Sequence, residues 1–511
     1  MTVVAGIDFG TAGVRVALFD SARGRLGAGT AAIAVNRDAR DPDRATQAHA
    51  DHLAAMETAF AVALSDAGID GQDVAALAVA TTGSTVVPLG ADVVPIDDYY
   101  FWSDHRARKE AAQITKAARA ADLPALALCG GTYSSEWGLA KALHWMRANP
   151  DSQAEAATFA EHCDVMAATL CGISDPTAMP RSVCAMGHKW MWSDAHGGLP
   201  SEEFLVSVDP LFEGFREKIA GRFATSDDVA GTLSQEWADR LGLREGIPVP
   251  VGALDAHWDA IGAGCRVGDV VNVIGTSSCI MALTEDRSSI PGIPGVVPGS
   301  VHPHHVGIEA GLAAVGDIFD AIARRAGTDV AALGEQVADF RAGQTGLLRV
   351  LWDNGDRSVR ADPGLAGMTL GWRLHHTAAD EFFAAIEGSG FHTRIILDRL
   401  AEHGAPIARV INAGGISRRS PALNRAYASI LGKPVLVPES DTTGLGSVIF
   451  AFLAAGEFDS VEQAQDALCP DYTRYEPVAS DRDLYDKLFE AFARMYFINL
   501  RETFDTLENA A

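Results

Sequence analysis

Long apolar runs are missing from this chain of 511 residues. None reaches the ~20 residues that a membrane-spanning helix needs, which excludes a helical membrane protein. No basic stretch followed by an apolar one precedes the strand-like pattern that begins at Val3, so no secretory leader is expected. Cysteine is scarce. The seven at 129, 163, 171, 184, 265, 279 and 469 are odd in number and form no Cys-x-x-Cys pair. They read as reduced, mostly buried small apolar residues, and the protein as cytoplasmic. Positive charge is also short, 41 Lys and Arg against 67 Asp and Glu, a net charge of −26. That balance argues against duplex nucleic acid or an anionic membrane as the main partner. A nucleotide would need a local cluster of backbone donors and a metal ion.

What is present is ordinary for a globular protein, with 48% hydrophobic and 21% charged residues. The length predicts two or three domains. Strand-like and helix-like segments alternate along the whole chain, which predicts an α/β architecture. Residues 3–9 and 14–20 read as strands, 47–67 as an amphipathic helix and 74–81 as a buried strand. Helical spacing recurs at 105–121 and 137–148. Segment 285–303, rich in proline and glycine, reads as a surface loop.

Most of the chemistry lies in turns. Between the first two strands stand Asp8, Gly10, Thr11 and Arg15. Glycine lets backbone N–H groups approach phosphate oxygens, Thr11 adds a hydroxyl donor and Arg15 a positive charge. Asp8 suits a hydrated Mg²⁺, which prefers carboxylate and water oxygens. The pattern returns at 270–284, where Gly275-Thr276 punctuates two apolar runs, and a further strand at 408–413 meets Gly414-Gly415 ahead of a helix from about 421. Two such hairpins predict a duplicated domain with a nucleotide held in a cleft between the halves. The boundaries are set at 1–265, 266–455 and 456–511, the last a helical cap on the second domain. Asp255, just beyond the strand ending at Val251, is placed to accept a proton from a substrate hydroxyl that attacks a γ-phosphate. N-capping of the following helix is the other role open to it. His257 is given no chemistry.

The paired hairpins, Gly252-Ala253-Leu254-Asp255-Ala256-His257 and Gly414-Gly415-Ile416 resemble the FGGY carbohydrate kinases of the actin/hexokinase/Hsp70 superfamily over essentially the full length. Ser134-Ser135-Glu136-Trp137 and Gly187-His188-Lys189 are similar to the ribulokinase branch of that family. The resemblance implies two duplicated ribonuclease H-like domains and ATP-dependent phosphorylation of a ketopentose at its terminal hydroxyl, ribulose giving a 5-phosphate. Other pentuloses or polyols, and a non-kinase ATPase switch, are the alternatives. It implies Asp255 as general base and Asp8 as the Mg²⁺-organising carboxylate. Gly10, Thr11 and Arg15 become the first phosphate loop, Gly275 and Thr276 the second, and Gly414, Gly415 and Ser420 the adenosine contact. Ser84, Thr85, Glu136, Lys189, Asp255 and Glu309 become the sugar contacts. The partners implied are ATP and a sugar, and a homodimer is compatible with the resemblance. Two departures stand out. Leu312-Ala313 replaces the usual Gln-Ser after Glu309, and Ser420 stands where Asn is frequent.

Overall fold

The computed structural model describes residues 2–510. The chain forms two compact units. The first comprises Met1–Gly264, Val297–Gly307 and Thr443–Cys469, and the second Cys265–Val296, Ile308–Thr442 and Pro470–Ala511.

In the first unit β1 (Val3–Gly10) pairs antiparallel with β2 (Gly13–Asp20), which pairs antiparallel with β3 (Gly24–Ala32). On its other side β1 runs parallel to β4 (Val74–Thr81), which is followed by the short strand Ala253–Leu254. The unbroken apolar run of β1 is what a central strand covered on both faces requires, and all its residues but Gly10 are buried. β2 alternates instead, with Val14, Val16 and Leu18 buried and Arg15 outward. Helix α1 (His49–Ala67) lies on β3. It comes close because Gly27 and Gly29 carry no side chain: a Cβ on Gly29 would stand 2.0 Å from the Ala59 carbonyl oxygen. Helix backbone cannot yield that distance, so Gly29→Val is expected to cost about 3 kcal/mol by overpacking. Urea unfolding checks this, and an unchanged midpoint would refute the packing argument.

A second sheet of the first unit places strand Val86–Leu89 against Thr158–Glu161, with Val86 opposite Glu161. The turn before Val86 therefore passes directly over Glu161.

The second unit repeats the first unit's order. β5 (Asp269–Ile274) pairs antiparallel with β6 (Ser278–Thr284) and parallel with the strand Arg409–Ala413, which runs parallel to Val435–Pro438. An antiparallel hairpin backed by two parallel strands is thus built twice, as the paired turns in the sequence predicted.

Two expectations are corrected. Segment 285–303 is not a surface loop: Ile290, Ile293, Val296, Val297 and Val301 are buried, and strand Gly295–Pro298 runs through it. Proline and glycine there mark bends in buried chain. Residues 456–511 are not a single cap on the second domain. Helix Val461–Leu468 belongs to the first unit, where its neighbour Leu445–Ala454 packs on β1 and β4, whereas Ala479–Tyr496 belongs to the second. Among the described residues no helix is long and apolar enough to cross a membrane, and none of the seven cysteines is in a disulfide.

Candidate active site

The first unit gathers carboxylates at the end of β1. Asp8 is buried, and Arg15, its partner across the hairpin, donates from Nη1 to Asp8 Oδ2 at 2.7 Å. The Arg15 side chain is half exposed, so one face of its guanidinium points outward while the other is held. Thr11, at the turn, accepts a hydrogen bond from Trp102 Nε1 at 3.1 Å, which orients its hydroxyl.

Asp255 follows strand Ala253–Leu254 and opens the helix Asp255–Gly262. Its Oδ1 accepts the Ala256 N–H at 2.7 Å, so the carboxylate sits at a helix N-terminus, where negative charge is favoured. Burial nevertheless pushes its pKa up to about 7, and the Asp8 charge pushes the same way, against the Ala256 N–H, His257 and Arg15. One helical turn on, Asp259 is raised well above the usual carboxylate range by burial and by the charges of Asp8 and Asp255. The sequence reading missed Asp259. The signal was available, because residues four apart share one helix face.

Carboxylates that repel one another offer the oxygen donors that a hard divalent cation prefers. Asp8 and Asp259 fit a Mg²⁺ ion by their chemistry, since bound positive charge relieves the repulsion that raises Asp259.

Four of the residues assigned to the sugar, Ser84, Thr85, Glu136 and Lys189, belong to the first unit. Lys189 ends the helix Val183–Lys189 and is 4% exposed. Its Nζ lies 5.7 Å from the centre of the Trp137 ring, a cation–π contact that holds the ammonium. Its neighbour His188 donates or accepts at Ser300 Oγ (2.9 Å) and packs its ring 4.6 Å from that of His257. The residue beside Lys189 thus touches the residue two beyond Asp255, a link the sequence did not reveal. Glu136 is half-buried, its N–H donating to Ser134 Oγ at 3.1 Å.

Ser84 and Thr85 sit deeper than the sequence suggested, both essentially inaccessible. Ser84 donates its hydroxyl to Glu161 Oε1, Thr85 N–H donates to Glu161 Oε2 at 3.0 Å, and the Thr85 and Thr82 hydroxyls pair at 2.8 Å. Their hydroxyls therefore shape the turn from beneath. Burial pushes Glu161 up to about 7, against the pull of Ser84, Trp190 and Lys141.

In the second unit the β5–β6 hairpin is docked on the start of helix Gly316–Arg325. The Thr276 carbonyl accepts from Val315 N (2.9 Å) and Asp317 N (3.2 Å), and the Gly275 carbonyl from Gly316 N (3.1 Å). Gly414 has φ +88°, and a Cβ there would lie 2.6 Å from the Ile274 carbonyl. Only glycine meets both demands, and it brings Gly414-Gly415 beside the strand that leads into Gly275. Ser420 caps helix Pro421–Leu431 by accepting from Leu423 N at 3.3 Å. Glu309, Leu312 and Ala313 are buried, so the departure from Gln-Ser replaces interior polar groups with apolar ones.

The N-terminal domain model of the FGGY family of carbohydrate kinases matches residues 3–262, and the C-terminal domain model matches 270–455. A ribulokinase from Vibrio parahaemolyticus is 30% identical over 541 aligned residues, covering 96% of this chain and 95% of the relative. A ribulokinase from Mycolicibacterium smegmatis is 31% identical, covering 96% and 93%. The crystal structure of xylulose kinase from Rhodospirillum rubrum superposes with a TM-score of 0.82 at 21% identity, covering 98% of this chain and all of that one. The chain belongs to the FGGY family of carbohydrate kinases and is a sugar kinase, an enzyme class that takes its phosphoryl group from ATP.

Proposed function

We propose that this kinase phosphorylates the terminal hydroxyl of a ketopentose, ribulose giving ribulose 5-phosphate. The observation that carries the proposal is Asp255: a carboxylate at a helix N-terminus, raised to about 7 and set among Asp8, Arg15 and Asp259. A base of that strength takes a hydroxyl proton as the oxygen attacks, because its affinity for the proton is matched to neutral pH. The relatives named ribulokinase support a pentulose as acceptor.

In this reading Asp255 orients and deprotonates the sugar hydroxyl. Thr11 and Arg15 of the first hairpin and Gly275 and Thr276 of the second donate to phosphate oxygens of ATP, with Gly10 giving close backbone access. Gly414 and Gly415 offer bare backbone to adenosine, with Ser420 beside them. Lys189 offsets charge that grows on the transferring group. Glu136 and Glu309 accept hydrogen bonds from sugar hydroxyls, and the Ser84–Thr85 turn shapes the pocket wall. Mg²⁺, held by Asp8 with Asp259, would supply charge neutralisation at the phosphates. Seven cysteines outside any disulfide suit a reducing cytoplasm.

A second reading keeps the chemistry and changes the sugar. Leu312 and Ala313, both buried, take the place of two polar residues, which favours an acceptor with a different set or stereochemistry of hydroxyls. ADP release with MgATP, measured against L-ribulose, D-ribulose, L-xylulose, D-xylulose, ribitol, L-arabinitol and glycerol, separates the two. Highest kcat/KM on a ribulose is expected. Highest kcat/KM on a polyol would replace the first reading with the second.

A further inference from the structure

Lys141 was singled out by no sequence signal, yet it is 1% exposed and its ammonium is fully engaged. It lies in the helix Gly138–Ala148 and donates to three main-chain carbonyls: Ser84 (2.7 Å), Phe101 (2.7 Å) and Tyr100 (3.2 Å). Three donors meet three acceptors, so nothing is left over for a ligand. Those carbonyls belong to two different segments. One is the Ser84–Thr85 turn, whose other side is held by Glu161. The second runs directly into Trp102, whose indole N–H holds the Thr11 hydroxyl at 3.1 Å. Glu161 also accepts from Trp190 Nε1 at 2.9 Å, and Trp190 follows Lys189. The helix cannot drift from this layer, because a Cβ on Gly138 would stand 2.0 Å from the Trp190 ring.

We infer that Lys141 is a positioning residue that ties the sugar-facing turn to the phosphate hairpin, so that acceptor and donor are held in one register. The inference rests on the proposed reading that the Ser84–Thr85 turn walls the sugar pocket. An ammonium is costly to bury, and here the return is geometric: one ammonium braces the ends of two neighbouring strands, where Val86 pairs with Tyr100. Glu161 holds the sugar-side turn directly, and Trp102 holds the phosphate side. Burial pulls the ammonium's pKa down to about 8, against the charges of Asp104, Glu161 and Glu136, which favour it.

The test compares Lys141→Met, Glu161→Gln and Trp102→Phe, each with KM for the sugar, KM for MgATP, kcat and sugar-independent ATP hydrolysis. Lys141→Met is expected to lower kcat about 10²-fold, the size of effect produced by a 1 Å misplacement. It also raises both KM values and the fraction of ATP hydrolysed without sugar. Glu161→Gln is expected to raise the sugar KM about tenfold with KM for MgATP unchanged, and Trp102→Phe the reverse, each the loss of one anchoring contact. A Lys141→Met enzyme with a lower Tm but unaltered KM values and unaltered coupling would overturn the inference, as would Glu161→Gln and Trp102→Phe shifting the same constant. The last comparison stands even where Lys141→Met does not fold. If the wild type prefers another sugar from the panel, the proposed substrate fails, and the split is still read with the sugar that is accepted.

Discussion

Asp255→Asn is expected to lower kcat by about 10²–10⁴, the range that a positioned general base contributes. The substitution changes almost nothing else. The amide oxygen still accepts the Ala256 N–H that now binds Oδ1 at 2.7 Å, so the start of the helix is preserved. What disappears is the proton acceptor and a negative charge. Asp8 and Asp259 both repel that charge, and burial disfavours it, so its removal relieves strain in the folded state. The sign follows from linkage. A carboxylate whose pKa is raised on folding from the ordinary 3.8 to about 7 makes the fold less stable as pH rises from the lower value to the higher. At neutral pH or above, Asn therefore leaves Tm unchanged or raises it. Lost turnover with retained or increased Tm is the signature of a group kept for chemistry at the expense of stability. Steady-state kinetics and a thermal melt on one preparation decide it. Near-normal kcat would remove Asp255 from its role.

Lys189→Met is expected to lower kcat/KM by about 10²–10³, the loss seen when one preorganised donor to a developing charge is removed. Methionine matches the lysine stem as far as Cε, so the helix Val183–Lys189 retains its seat. The main-chain carbonyl of Lys189, which accepts from Tyr133 Oη at 2.6 Å, is untouched. Only the ammonium is lost. Its loss falls on the transition state, so kcat is expected to drop more than KM rises. A rise in KM with unchanged kcat would show that Lys189 binds the sugar and takes no part in phosphoryl transfer.

The sequence carried the hairpins well because each element there has a single reading. The continuous run of β1, the alternation of β2 and the glycine-punctuated turns agree on a strand–turn–strand. The second copy, from Asp269 to Thr284, repeats the same local chemistry and folds the same way. Asp259 was legible and overlooked, since its spacing from Asp255 puts both on one helix face. Lys141 and Glu161 were not legible. A lysine in an amphipathic helix and a glutamate at a strand end each look like surface charge. Only the crossing of Val86–Leu89 with Thr158–Glu161 places Glu161 under Thr85. Segment 285–303 failed for a related reason: proline and glycine report bends, and a bend says nothing of what lies over it. The Ser84 and Thr85 hydroxyls were read toward a polyol, and a buried carboxylate or a neighbouring threonine satisfies such hydroxyls equally well.

The central claim is transfer of a phosphoryl group to the terminal hydroxyl of a ketopentose. It is tested most directly by incubating the enzyme with MgATP and L-ribulose or D-ribulose and recording phosphorus–proton correlation spectra of the product. A phosphate monoester coupled to the two C5 protons, formed in step with ADP, is expected. A phosphate coupled to the C1 protons, or inorganic phosphate alone, would contradict it.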